Sequence, residues 1–170
     1  MPEDRGSVRP PNRGRPQLDR AAARASAPPE LSLTRGLLAA AHVVRQRFSA
    51  RLDAQGSSLT AYLVACALAE TGPQTQRALA QRVDVSDATL GRQVDLMEQE
   101  GLVTRRRLPG DRRSVLVDLT PLGEHRHAQL SRTAAHFDER LVQEVGQTVA
   151  EALRQALPLL GAALAGKHRS

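Results

Sequence analysis

Apolar positions along this chain keep a helical period, switch once to alternation, and then return to the helical period. Leu37, Ala41, Val44, Phe48 and Leu52 recur at steps of four and three, so they share one face of a helix over about 31–55. Gly56-Ser57-Ser58 ends that helix and supplies a cap for the next. Residues 59–70 are apolar nearly all round, which predicts a buried helix stopped by Gly72-Pro73. Two short helices follow, at about 75–82 and 86–100, with Thr75 and Ser86 where N-caps belong and Gly101 closing the second. From Leu102 to Thr120 the period becomes two, interrupted by Pro109-Gly110-Asp111, which reads as a β-hairpin. Thr120-Pro121 then opens a helix to about Val145, and Gly146 separates it from a last helix over about 148–164. Val149, Leu153, Ala156, Leu157, Leu160 and Leu164 form the stripe of that last helix, and Pro158 lies inside it, where a kink is expected.

The elements form a mainly α fold with a small β-hairpin wing. Two short helices joined by Val83-Asp84-Val85 match a helix-turn-helix. Leu79, Val83, Leu90, Val94 and Met97 are placed to pack between them, leaving Asp87, Ala88, Thr89, Arg92 and Gln93 outward near the start of the second helix. In such a motif this end enters the DNA major groove. Arginine forks onto guanine and glutamine onto adenine, while Ser86 or Thr89 suits a phosphate. The first and last helices each carry an apolar stripe that a lone winged-helix lobe has no need of. The expectation is therefore a winged helix-turn-helix lobe at 59–120 flanked by dimerisation helices at 31–55 and 121–165, within a domain covering 30–170.

Charge sharpens this picture only through its placement. The net charge is +6, and every basic residue except Lys167 is arginine. Arg105, Arg106, Arg107, Arg112 and Arg113 fall within nine residues of the hairpin, with Asp111 as the one acid among them. Such a tip fits a narrow minor groove or its phosphates, and Asp111 is spaced to hold Arg113 in one rotamer. Residues 1–29 contain six of the ten prolines and six arginines, and read as a disordered basic tail. That composition suits an arm on DNA phosphates or a plain solvated extension. Glu3, Asp4 and Asp19 favour the extension. With a single cysteine, Cys66, neither an intrachain disulfide nor a cysteine metal cage can form. No apolar run reaches the roughly 20 residues of a membrane span, and no hydrophobic stretch backs the N-terminal arginines, so a cytoplasmic protein is expected. No phosphate loop, nucleophile elbow or metal-ligand cluster points to an enzyme or a cofactor. His125 and His127 face roughly opposite sides of a helix, and His125 and His136 lie about 16 Å apart along it, so neither pair chelates an ion within one chain.

The central block resembles the MarR family of bacterial transcriptional regulators. Leu79-Ala80-Gln81-Arg82-Val83-Asp84-Val85-Ser86 is similar to the family's first helix and turn. Arg92 and Glu98-Gln99-Glu100-Gly101-Leu102-Val103-Thr104-Arg105 are similar to its recognition helix running into the wing. Asp111-Arg112-Arg113 and Leu119-Thr120-Pro121-Leu122-Gly123 resemble the wing signature and the next helix start, and the likeness extends over about 31–165. It implies a homodimer on a pseudo-palindromic double-stranded DNA operator, with Arg113 as the wing's minor-groove arginine and repression as the commoner mode. Two positions depart from the pattern. Asp84 stands where the turn usually has Gly, and Gly91 replaces a common Ser or Thr in the recognition helix.

The resemblance also implies a small aromatic or lipophilic effector, held between the dimer helices and the DNA-binding lobe. His42, Arg45, Tyr62 and Cys66 are the candidate lining residues. Each has a plainer reading as core or surface. Redox sensing through Cys66 is an alternative, although a thiol among Val64, Ala65, Ala67 and Leu68 is expected to react poorly. A second alternative is a winged helix that binds protein rather than DNA. That class should lack an arginine-rich hairpin.

Overall fold

The computed structural model describes residues 32–108 and 111–165. The tail at 1–29 and the hairpin tip Pro109-Gly110 lie outside the described residues. Two compact units are distinguished, 1–41 and 42–170, with the boundary inside the first helix. In the first unit, Ser32 accepts a hydrogen bond from the Arg35 amide at 3.3 Å and starts helix α1, Leu33–Asp53. Leu33 and Leu38 there are 73 % and 67 % exposed.

The second unit contains the rest of α1 and all later elements. These are α2 (Leu59–Thr71), β1 (Gln74–Thr75), α3 (Gln76–Arg82), α4 (Asp87–Gln99), β2 (Val103–Leu108), β3 (Asp111–Leu119), α5 (Pro121–Val145) and α6 (Gln147–Ala165). Hydroxyl caps set the helix starts. Ser58 receives the Ala61 amide, Thr75 that of Ala78, Ser86 that of Thr89, and Thr120 that of Gly123, at 3.0–3.2 Å. Each satisfies one of the amides a helix leaves open at its start. At the end of α4, Gly101 takes φ +71°, Leu102 donates to the Met97 carbonyl at 2.8 Å, and Gly101 donates to that of Glu98 at 3.0 Å. This paired closure turns the chain directly into β2.

The hairpin belongs to a three-stranded antiparallel sheet of order β1-β3-β2, with Gln74 opposite Val117 and Thr75 opposite Leu116. The two-residue strand β1 was not expected from sequence. Val103 pairs with Leu119 and Arg105 with Val117, and a bulge follows between Arg107 and Leu108. The core joins α2 (Val64, Leu68), α3 (Leu79), α4 (Leu90, Val94, Met97) and the sheet (Val103, Val117), all 3 % exposed or less. Gly123 closes the junction between sheet and α5. A β-carbon there would collide with the Leu102 carbonyl oxygen.

Beyond the lobe, burial fades. On α1 the expected stripe is buried at Leu52, half-buried at Phe48 and 37 % exposed at Val44. On α6, Val149, Leu153, Leu157, Leu160 and Leu164 range from 37 % to 62 % exposed, and only the offset Ala150 is buried. The helix continues through Pro158. No helix among the described residues is long and apolar enough to cross a membrane.

Candidate nucleic-acid interface

The turn between α3 and α4 decides how the second helix is presented. Asp84 has φ +54°, the left-handed region that usually favours glycine. Asp tolerates it, so the departure from Gly leaves the tight turn intact. Val85 then donates to the Ala80 carbonyl at 3.0 Å, and Ser86 caps α4. The Ser86 and Thr89 hydroxyls lie 2.9 Å apart, so one donates to the other and the second keeps its proton for an outside acceptor. Asp87, Ala88 and Arg92 are exposed on the same end of α4. Arg92 has no ion-pair partner among the described residues.

Two residues expected at this surface have other engagements. Gln93 is half-buried, and its Oε1 accepts the Ser58 hydroxyl at 2.8 Å, tying α4 to the cap of α2. Arg105 is turned inward. Its Nη1 lies 2.6 Å from Asp95 and 2.9 Å from Glu98, its Nη2 donates to the Gly91 carbonyl at 3.3 Å, and its side chain is 21 % exposed. Partial burial lowers its pKa, but the hydrogen bonds it donates to Asp95 and Glu98 outweigh that and raise it, so the guanidinium stays charged. The signal for this orientation was present in the strand alternation. Val103 is core, so Arg105 faces the same way, toward α4, whereas Arg106 faces out.

Arg106 is 4.0 Å from Asp118 and largely exposed, and Arg107 is exposed. The backbone of Asp111, Arg112 and Arg113 lies in β3, but their side chains fall outside the described residues, and with them the expected Asp111–Arg113 pair. Gly91 is half-buried. A β-carbon there would press on the Gln76 amide at 3.3 Å, so this position serves the α3–α4 contact rather than an outward surface. Sequence reasoning missed Arg77, an exposed cation in the first turn of α3. Its signal was the Thr75 cap, which fixes where that helix begins.

Of the four candidate effector residues, two lie on α1 and two on α2. His42 and Arg45 are exposed on α1. Tyr62 and Cys66 sit one turn apart on α2 and are both half-buried. Cys66 instead lines a cleft of about 240 Å³ with Leu63 and the Glu70–Arg82 ion pair, which spans 2.6 Å. Burial raises the Cys66 pKa, partly offset by the Tyr62 hydrogen bond. Burial, reinforced by the Cys66 hydrogen bond, pushes Tyr62 up to about 12. Tyr62 also meets Phe48 edge-on at 5.4 Å and stacks on His127 at 6.4 Å, while Phe48 and Phe137 lie 5.2 Å apart. The chain's two Phe and one Tyr thus converge where α1, α2 and α5 meet, a cluster the sequence did not reveal. His125 bonds Gln129, His127 bonds Ser131, and His136 lies 3.4 Å from Glu139.

This architecture has close counterparts. A sequence model of the MarR family matches residues 58–115, from the α2 cap into the wing. The structure of the transcriptional regulator PA3341 is 30 % identical with a TM-score of 0.66, covering 77 % of this chain and 96 % of that one. The chain belongs to the MarR family. The MarR-family transcriptional regulator SPO1453 from Silicibacter pomeroyi is 27 % identical with a TM-score of 0.68, covering 78 % of this chain and 95 % of that one. NadR, solved in complex with 4-hydroxyphenylacetate, shares the fold at 22 % identity and a TM-score of 0.63, covering 83 % of this chain and 95 % of that one. No curated protein sequence matches the chain. The winged helix-turn-helix of this MarR-family protein is that of a DNA-binding transcriptional regulator.

Proposed function

We propose that this protein acts in the cytoplasm as a homodimeric repressor that occupies a pseudo-palindromic operator and releases it on binding a small aromatic or lipophilic effector. The observation that carries the DNA reading is Arg92, exposed near the start of α4 without an ion-pair partner among the described residues. In the proposed complex Arg92 reads a base edge in the major groove, and Ala88 packs against the groove wall. Ser86 and Thr89 hold a phosphate, and Asp87 sits in the first turn, where its charge suits the helix dipole. Arg107, Arg112 and Arg113 take the flanking minor groove or its phosphates, with Asp111 holding Arg113, and Arg77 follows the backbone beside α3. Gln93 and Arg105 are left out of the contact set because their polar atoms are engaged within the protein.

The dimer reading rests on the uncovered stripes of α1 and α6. A face holding Leu153, Leu157 and Leu160 gains about 25 cal/mol for each Å² of apolar surface that a partner covers. Two-fold symmetry then sets two α4 helices about 34 Å apart, one turn of DNA. The effector reading is supported by NadR's complex with 4-hydroxyphenylacetate. Cys66 does not favour the redox alternative, because a thiol with a raised pKa presents little thiolate.

The test is selection of duplexes from a random library, followed by an electrophoretic shift assay. The parent protein is expected to enrich a two-fold symmetric site. The pair Arg112→Ala and Arg113→Ala is expected to weaken binding at least 10-fold. Unchanged binding by that pair would overturn the winged reading.

A further inference from the structure

Five arginines cluster in the wing sequence, and one of them differs in kind. Arg105 reaches three acceptors on α4: the Gly91 carbonyl and the Asp95 and Glu98 carboxylates, at 3.3, 2.6 and 2.9 Å. These residues are spaced by four and three, so they form one stripe along the helix that faces the sheet. A planar guanidinium is suited to this, because its fixed fork serves several acceptors at once and an ammonium does not. The arrangement also has an electrostatic side. Asp95 and Glu98 are 57 % and 42 % exposed acids on the helix that approaches a polyanion. Arg105 neutralises both from the protein side. Arg106, by contrast, is 60 % exposed and meets Asp118 at 4.0 Å.

We propose that Arg105 is a positioning residue for DNA recognition. It locks the first wing strand to the recognition helix and masks Asp95 and Glu98, so that helix and wing meet DNA as one rigid unit, without Arg105 itself touching DNA. The proposal rests on the DNA-binding reading above. It assigns Arg105 and Arg107, two positions apart, to different tasks, although both lie on the same strand face before the bulge. Arg105 is in reach of the α4 acids, and Arg107 is one strand repeat farther out.

A mutant cycle tests it, using the full chain and the duplex selected by the parent. Arg105→Ala is expected to weaken specific binding by about 10- to 100-fold. In an Asp95→Asn, Glu98→Gln background the same change is expected to cost less than about 3-fold, because the carboxylates it masks are gone. Arg105→Lys, which keeps the charge but not the fork, is expected to weaken binding in the parent background. In the free protein, Arg105→Ala is expected to speed amide hydrogen exchange in β2 while leaving α2 protected. An equal cost of Arg105→Ala in both backgrounds, with Arg105→Lys fully active, would mean a direct phosphate contact and would overturn the proposal. Parent-like exchange in β2 would overturn the lock. A parent protein that selects no duplex would end the DNA-binding reading, and this role with it. The exchange result then shows separately whether the lock exists.

Discussion

The DNA-binding lobe and the terminal helices solve burial differently. In the lobe, Leu79, Leu90, Val94 and Val117 are fully buried within one chain, and α2, α3 and α4 each begin with a hydroxyl cap. On α6 every member of the main apolar stripe is at least 37 % exposed, as are Val43 and Val44 on α1. The lobe closes its own core, whereas the terminal helices have apolar faces with no counterpart among the described residues. Local closure gives the lobe a rigid reading surface. Incomplete closure leaves apolar surface on the helices, and the proposed dimer would cover it.

Breaking the terminal helices should have the largest effect. Leu153→Glu with Leu157→Glu is expected to convert the dimer to monomer in sedimentation and to lower operator affinity by about 10²- to 10⁴-fold, the loss of linked binding. A lobe that remains folded but binds as well as before would show that α6 does not join two copies. Within the lobe, Leu90→Ala leaves a hole beside Val94 and Leu79. It is expected to destabilise folding by about 2–5 kcal/mol, read from denaturant or thermal melts. A change below 1 kcal/mol would mean that this core is looser than its packing indicates. Ser86→Ala removes the cap of α4 and frees Thr89. A loss of about 1 kcal/mol in stability is expected, with a similar or larger loss in DNA affinity if Ser86 also holds a phosphate.

The smallest effect concerns the border between the two regions, where Tyr62 meets Phe48 and His127. Its pKa is raised to about 12, so between the ordinary value of 10.0 and 12 the unfolded chain loses a proton that the native one keeps. Stability should therefore fall as pH rises above about 10 and level off beyond 12. This is the only tyrosine, so an absorbance titration reads it without interference. Ionisation near 10 would mean that the aromatic cluster is open to water.

The sequence disclosed what local chemistry determines. Caps at Ser58, Thr75, Ser86 and Thr120 and the closing Gly101 follow from near-neighbour hydrogen bonds, and the structure places each as expected. Two-residue β1 left no trace, because a strand that short has no period to detect. The meeting of Phe48, Tyr62 and Phe137 joins positions far apart in the chain, which no local pattern encodes. The bond between Gln93 and Ser58 is hidden for the same reason, since the two belong to different helices. The inward direction of Arg105, by contrast, follows from the alternation that makes Val103 core.

In the proposed complex, α4 and the wing of each protomer read DNA together in a symmetric pair. Hydroxyl-radical footprinting of the selected duplex, with the parent protein and with Arg92→Ala, tests this most directly. The account predicts two protected patches about one helical turn apart, each flanked by protection across the minor groove, and loss of both patches with Arg92→Ala. A single patch, or an unchanged footprint with Arg92→Ala, would contradict it.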